Sequence, residues 1–191
     1  MKKLILILLL TYSANASAQS FQMGSGVILY RFEGTFKDRN SYTYSVDQST
    51  IIFNLLFAGH IPFKQIKEEL YLGVNPNVGI GFFNSSFSGD IPVYLSMRYG
   101  AGSSKESLKE FGAAFGAGIR FTGFSSYMQN TGSSYSSSFV SPSVMAQITI
   151  MPAGGTPLSL RADFTPVPIN KDKGAFIGQI SQYNFLLMRS F

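Results

Sequence analysis

The sequence predicts an all-β fold, an eight-stranded antiparallel up-and-down transmembrane β-barrel, and three observations carry that prediction. First, apolar residues recur at every second position in stretch after stretch, which puts one face of each strand in an apolar medium. The clearest case is LYLGVNPNVGIGF, residues 70–82. Every even position is apolar, and the odd ones are Tyr71, Gly73, Asn75, Asn77, Gly79 and Gly81. Second, charged residues make up 13% of the chain, about half the roughly 25% of ordinary soluble domains. Third, hydrophobic content is an ordinary 45%, and after the first residues no apolar run nears the about 20 residues that a membrane helix needs. Low charge without long apolar runs fits neither a soluble surface nor a helical membrane protein.

Residues 1–18 read as a cleaved secretory signal peptide. Lys2 and Lys3 form its positive end, Leu4 to Leu10 its apolar core, and Ala16-Ser17-Ala18 a small-residue cleavage site before Gln19. Residues 19–191 form the barrel domain. Without Lys2 and Lys3 the chain has thirteen basic against ten acidic residues. That mild excess shows no Lys/Arg cluster for nucleic acid. Cysteine is absent, so disulfides, thiolate chemistry and a cysteine-borne lipid anchor are excluded.

Taken in order, strand 1 spans about Phe21 to Phe32, with Phe21, Met23, Val27 and Leu29 on one face. Strand 2 sets Ile51, Phe53, Leu55 and Phe57 against Thr50, Asn54, Ala58 and His60. Strand 3 is the 70–82 stretch. It is longer than the usual strand of about 5–6 residues and suits a tilted membrane strand of about 9–11. Pro76 lacks an N–H, so a local ladder defect is expected there. Strand 4 sets Ile91, Val93, Leu95, Met97 and Tyr99 against Pro92, Tyr94, Ser96 and Arg98. Strand 5 sets Phe111, Phe115, Ile119 and Phe121 against Glu110, Gly112, Gly116, Gly118 and Arg120. Strand 6 sets Val140, Val144, Ile148 and Ile150 against Ser141, Ser143, Gln147 and Thr149. Strand 7 sets Leu158, Leu160 and Phe164 against Ser159, Arg161 and Asp163. Strand 8 sets Tyr183, Phe185, Leu187 and Phe191 against Gln182, Asn184, Leu186 and Met188.

Which face is outside follows from the second set. The outside of a soluble barrel carries many Lys and Glu, whereas this set is rich in Gly, Ser, Thr and Asn with a few charges. It suits a packed polar lumen, which leaves the apolar face, including Leu72, Val74, Leu95 and Phe115, to meet lipid. A closed barrel also satisfies every backbone group without water. The stretches 33–47, 83–90, 124–138 and 165–176 read as long outer loops, with Ser125 to Ser138 (SSYMQNTGSSYSSS) a mobile one. The stretches 59–69, 100–109 and 151–157 read as shorter periplasmic connections. A symmetric hairpin register centred on Ser104 places Arg98 opposite Glu110.

The last residues, YNFLLMRSF, resemble the C-terminal strand of outer-membrane barrels, with Phe191, Leu187, Phe185 and Tyr183 matching and Arg189 departing. DIPVYLSMRYG, residues 90–100, is similar to a hairpin strand of small Bacteroidetes-type (porin-family, OmpX-like) outer-membrane β-barrels. The resemblance implies a bacterial outer-membrane location and contact with outer-membrane lipid. It also implies insertion by the barrel-assembly machinery, with Phe191, Phe185 and Tyr183 as the assembly signal, and no enzyme activity.

The chemistry-bearing residues are few. His60 is the only histidine, and with Ile61 and Pro62 after it, it lacks the His–Ser pair two apart that a lipid A deacylase type of barrel carries. No catalytic set, metal site or cofactor motif is expected. The candidate lumen network is Arg98, Glu110, Arg120, Arg161 and Asp163, since charges at membrane depth must face the interior and pair. The reading is a monomeric structural or interaction barrel with a plugged lumen. A small passive-diffusion pore and an exported soluble barrel that binds an apolar ligand are the alternatives.

Overall fold

The computed structural model describes residues 20–37, 42–103, 109–128, 133–153, 155–171 and 176–191; the expected leader lies outside them. The strands are β1 (Ser20–Lys37), β2 (Thr43–Lys67), β3 (Leu70–Phe83), β4 (Ser86–Gly100), β5 (Phe111–Met128), β6 (Ser133–Ile150), β7 (Leu158–Phe164), β8 (Ile169–Lys171) and β9 (Phe176–Ser190). From β1 to β7 neighbours in sequence pair antiparallel, and β1 also pairs with β9, which closes the sheet into a barrel. Both β7 and β8 pair with β9. They are two pieces of one wall position, interrupted at Thr165–Pro168, where Pro166 and Pro168 supply no N–H to a ladder. The wall is therefore eight-stranded. β1 begins and β9 ends at the same rim, tied by Phe191 N–H donating to the Phe21 carbonyl at 2.9 Å.

Side chains alternate as the sequence predicts. Phe53, Ile80, Leu95, Phe115, Ile148 and Phe185 lie exposed outside, while Asn54, Asn77, Ser96, Arg120, Gln147 and Asn184 are buried inside. Val74, Leu95 and Phe115 are exposed, and Leu72 is half-buried on the same outer face.

The connections differ from expectation. β1 runs on to Lys37 and β2 starts at Thr43, while β5 reaches Met128 and β6 resumes at Ser133. Only Asn84 and Ser85 separate β3 from β4, and only Glu68 and Glu69 separate β2 from β3. Most of what reads as long polar loop is thus paired strand. Outward residues such as Ser125, Ser134 and Ser136 are polar where the sheet rises beyond the apolar belt, so the alternation of polarity disappears while the pairing continues.

Prolines do break the ladder. β2–β3 pairing lapses between Ala58↔Asn77 and Ile61↔Val74, opposite Pro76, and β3–β4 pairing lapses between Pro76↔Val93 and Gly79↔Asp90, around Pro92. Two inward asparagines cover the carbonyls left there. The Asn75 amide donates to the Gly59 carbonyl, and the Asn77 amide donates to that of Pro92 at 3.0 Å. Buried carbonyls left without such donors would weaken the wall.

The β4–β5 register corrects the expected one: Arg98 faces Ala114, and Gly100 faces Gly112. Gly100 (φ 68°) and Gly102 (φ 74°) turn the chain inward, a conformation costly for other residues. Ala101 and Ser103 are thereby buried under the barrel. The strand restarts only at Phe111, so Glu110 stands exposed outside the lumen and does not meet Arg98.

Candidate functional site

The lumen is the candidate site, and its side chains stack in layers. At mid-height Asp163 on β7 is the hub. Its carboxylate accepts from Arg120 Nη2 at 3.0 Å and from Arg161 Nε at 2.8 Å, and all three side chains are fully buried. Arg120 also donates to the Tyr94 hydroxyl at 3.0 Å, which in turn bonds Ser143 at 3.0 Å. Arg161 donates to Asn77 Oδ1 at 3.0 Å, and its guanidinium lies 5.4 Å from the Tyr94 ring centroid. Strands that are not neighbours in the wall, β5 with β7, β4 with β6 and β3 with β7, are so cross-linked through the interior. One carboxylate shared by two guanidiniums, with amides and hydroxyls taking further donors, is how buried charge becomes tolerable.

The layer toward the far rim is held by Asp90. Thr122 donates to it at 2.6 Å and Gln182 at 3.2 Å, and Gln182 reaches on to the Tyr30 hydroxyl at 3.3 Å. Above this the interior is aromatic, which the expected polar lumen does not include. Tyr30, Phe32, Phe36, Phe124, Tyr135 and Phe176 form one buried cluster with Ile28, Ile52 and Ile180. Ring centroids lie 4.5 Å apart for Tyr30–Phe124 and 5.8 Å for the edge-on pair Phe32–Phe176, within the range of favourable aromatic pairs. Phe36, Phe124, Tyr135 and Phe176 come from stretches that read as loops, and inward parity is visible only once those stretches are paired strand.

Near the rim that holds the ends of β1 and β9, Gln22, Gln147, Thr149, Ser159 and Ser190 form a small hydrogen-bonded group. Arg98 is buried here too, with one long contact from Nη1 to the Gly102 carbonyl at 3.4 Å.

Four of the five expected lumen residues, Arg98, Arg120, Arg161 and Asp163, are therefore inside, and three of them bond to one another; Glu110 is outside. Asp90, Tyr94, Asn75, Asn77 and Gln182 belong to the network beyond the expected set, and for all but Asp90 the alternation in the sequence marks the inward face. The expected terminal residues Tyr183, Phe185 and Phe191 are exposed on the outer face of the closing strand. Arg189, also outside, donates to Thr156 Oγ1 at 2.8 Å. His60 is buried and neither ring nitrogen has a hydrogen-bond partner, so no hydroxyl nucleophile is bonded to it. Among the described residues no group of acidic and histidine side chains has the arrangement of a metal site.

Together the closed eight-stranded wall, the apolar exterior and the cross-linked polar interior define the fold of a small outer-membrane β-barrel. No family model matches the sequence, and no curated relative does. Among solved structures, Neisserial surface protein A is similar at TM-score 0.50 and 10% identity, over 90% of this chain and 95% of that one. The outer membrane protein OprG of Pseudomonas aeruginosa is similar at TM-score 0.45 and 10% identity, over 92% and 97% of the two chains. The outer membrane protein AlkL has TM-score 0.46 and 13% identity, over 93% and 91%.

Proposed function

We propose that this protein is an integral outer-membrane barrel with a structural or interaction role and a lumen closed to bulk solute. One observation carries the closed lumen. A water-filled channel leaves its lining accessible, yet Arg120, Tyr94, Tyr30 and Phe32 are all at 0% exposure. Eight strands enclose little more than side-chain room, and here charged, amide and aromatic side chains occupy it in successive layers. The membrane seat rests on the outer wall, where residues such as Phe57, Val78, Ile91 and Leu187 on many strands are each about half exposed, an exposure of large apolar side chains that soluble monomers rarely carry. The rim holding the ends of β1 and β9 is the periplasmic one, and the serine-rich strand extensions face outward. The Bacteroidetes-type affiliation rests on the DIPVYLSMRYG strand alone.

The mature protein in planar bilayers is expected to show no steady single-channel conductance. Stepwise conductance proportional to salt would favour the passive-diffusion pore. Recovery of the protein in the soluble fraction after a carbonate wash would favour the exported soluble barrel.

The outward run Tyr183, Phe185, Phe191 is proposed as the signal read by the assembly machinery. Removal of Phe191 is expected to lower surface levels in cells several-fold while lowering urea stability of the refolded barrel only slightly, since Phe191 lies past the last strand residue, is 62% exposed and gives up one rim hydrogen bond to Phe21. Equal surface levels would refute that role.

A further inference from the structure

We propose that the periplasmic end of the lumen holds a small inorganic anion of about chloride's size, bound by Arg98 with His60 and Ser96 beside it. Among the described residues the interior contains three buried guanidiniums, Arg98, Arg120 and Arg161, against two buried carboxylates, Asp90 and Asp163. Asp163 pairs with Arg120 and Arg161, and no carboxylate pairs with Arg98 among the described residues. Its Nε and Nη2 have no hydrogen-bond partner while the residue is 2% exposed. Those two atoms form the side-on fork of a guanidinium, the edge that grips one anion with two parallel N–H donors.

Two buried neighbours at the same end of the lumen also lack hydrogen-bond partners. The His60 ring lies so close over Gly73 that a Cβ there would strike its Cε1. Gly73 faces Ser96, and Ser96 and Arg98 are successive inward residues of β4. Both His60 nitrogens are without a partner, as is Ser96 Oγ. A lone buried cation is costly because its desolvation is uncompensated. A single negative charge in the fork offsets the charge of Arg98, and the imidazole and serine supply further donors. The enclosure by the inward turn at Gly100–Ser103 and the shortness of Ser96 favour a spherical monoanion over a headgroup or a larger ligand.

The test is urea unfolding of the mature barrel in detergent, with chloride replacing a bulky sulfonate at constant sodium and ionic strength. The folding equilibrium constant is expected to rise about tenfold when chloride reaches ten times its dissociation constant. Arg98→Met, which retains an unbranched chain without charge, should abolish the rise, and Arg31→Met on the outer surface should retain it. No chloride dependence in the parent, or equal dependence in Arg98→Met, overturns the proposal. Should Arg98→Met fail to fold, bromide-soaked crystals of the parent decide: anomalous density beside Arg98 Nε supports the site, and its absence there overturns it. Neither readout involves conductance, so a missing anion site and an open lumen are told apart.

Discussion

Asp163→Asn is expected to destabilise the barrel by about 3–5 kcal/mol, the usual cost of removing one partner from a buried ion pair. The substitution retains shape and size but leaves Arg120 and Arg161 facing an amide, with their charges uncompensated in an interior that water does not reach. The loss should appear as a lower urea midpoint of the band shift between folded and unfolded forms in detergent gels. Glu33→Gln is the matched control. Glu33 also meets an arginine, Arg31, at 2.6 Å, but both side chains are about half exposed, and exposed pairs contribute about 0–1 kcal/mol. Adding Arg161→Met to Asp163→Asn should recover part of the loss by removing one stranded charge. A midpoint for Asp163→Asn within error of the control would mean that the hub does not hold the strands together.

Leu95→Arg should cost about 2–4 kcal/mol on folding into bilayers, the range for an arginine on the lipid face at the midplane. Leu95 lies mid-strand on β4, exposed outward and opposite Val74 and Ala117. Tyr127→Arg tests the depth dependence. Tyr127 also points outward, but it sits in the extension of β5 opposite Ser134, where the cost should be about 0–1 kcal/mol. Comparable costs at both positions would place the apolar belt elsewhere. A negligible cost at Leu95 would invert the assignment of faces.

The sequence by itself determined the barrel wall, because strand faces are a matter of parity. Once Ile91, Leu95 and Met97 must share a face, Tyr94, Ser96 and Arg98 must share the other, whatever the rest of the chain does. It also determined which face is outside, since Gly, Ser and Asn do not cover a soluble surface. It placed the ladder defect at Pro76, which has no N–H to give.

Tertiary structure decided everything that depends on register and on the other side of the ring. The expected Arg98–Glu110 pair failed because hairpin symmetry does not show that Gly100 and Gly102 turn the chain inward and delay β5 to Phe111. The aromatic cap was hidden because Phe36, Tyr135 and Phe176 lie in polar stretches far apart in sequence, and only strand pairing beyond the apolar belt gives them a common interior. The Asp163 hub and the unpaired fork of Arg98 were likewise invisible. Parity says that a charge points inward. Which charge it meets there depends on the closure of β1 onto β9, which brings opposite walls within hydrogen-bonding distance.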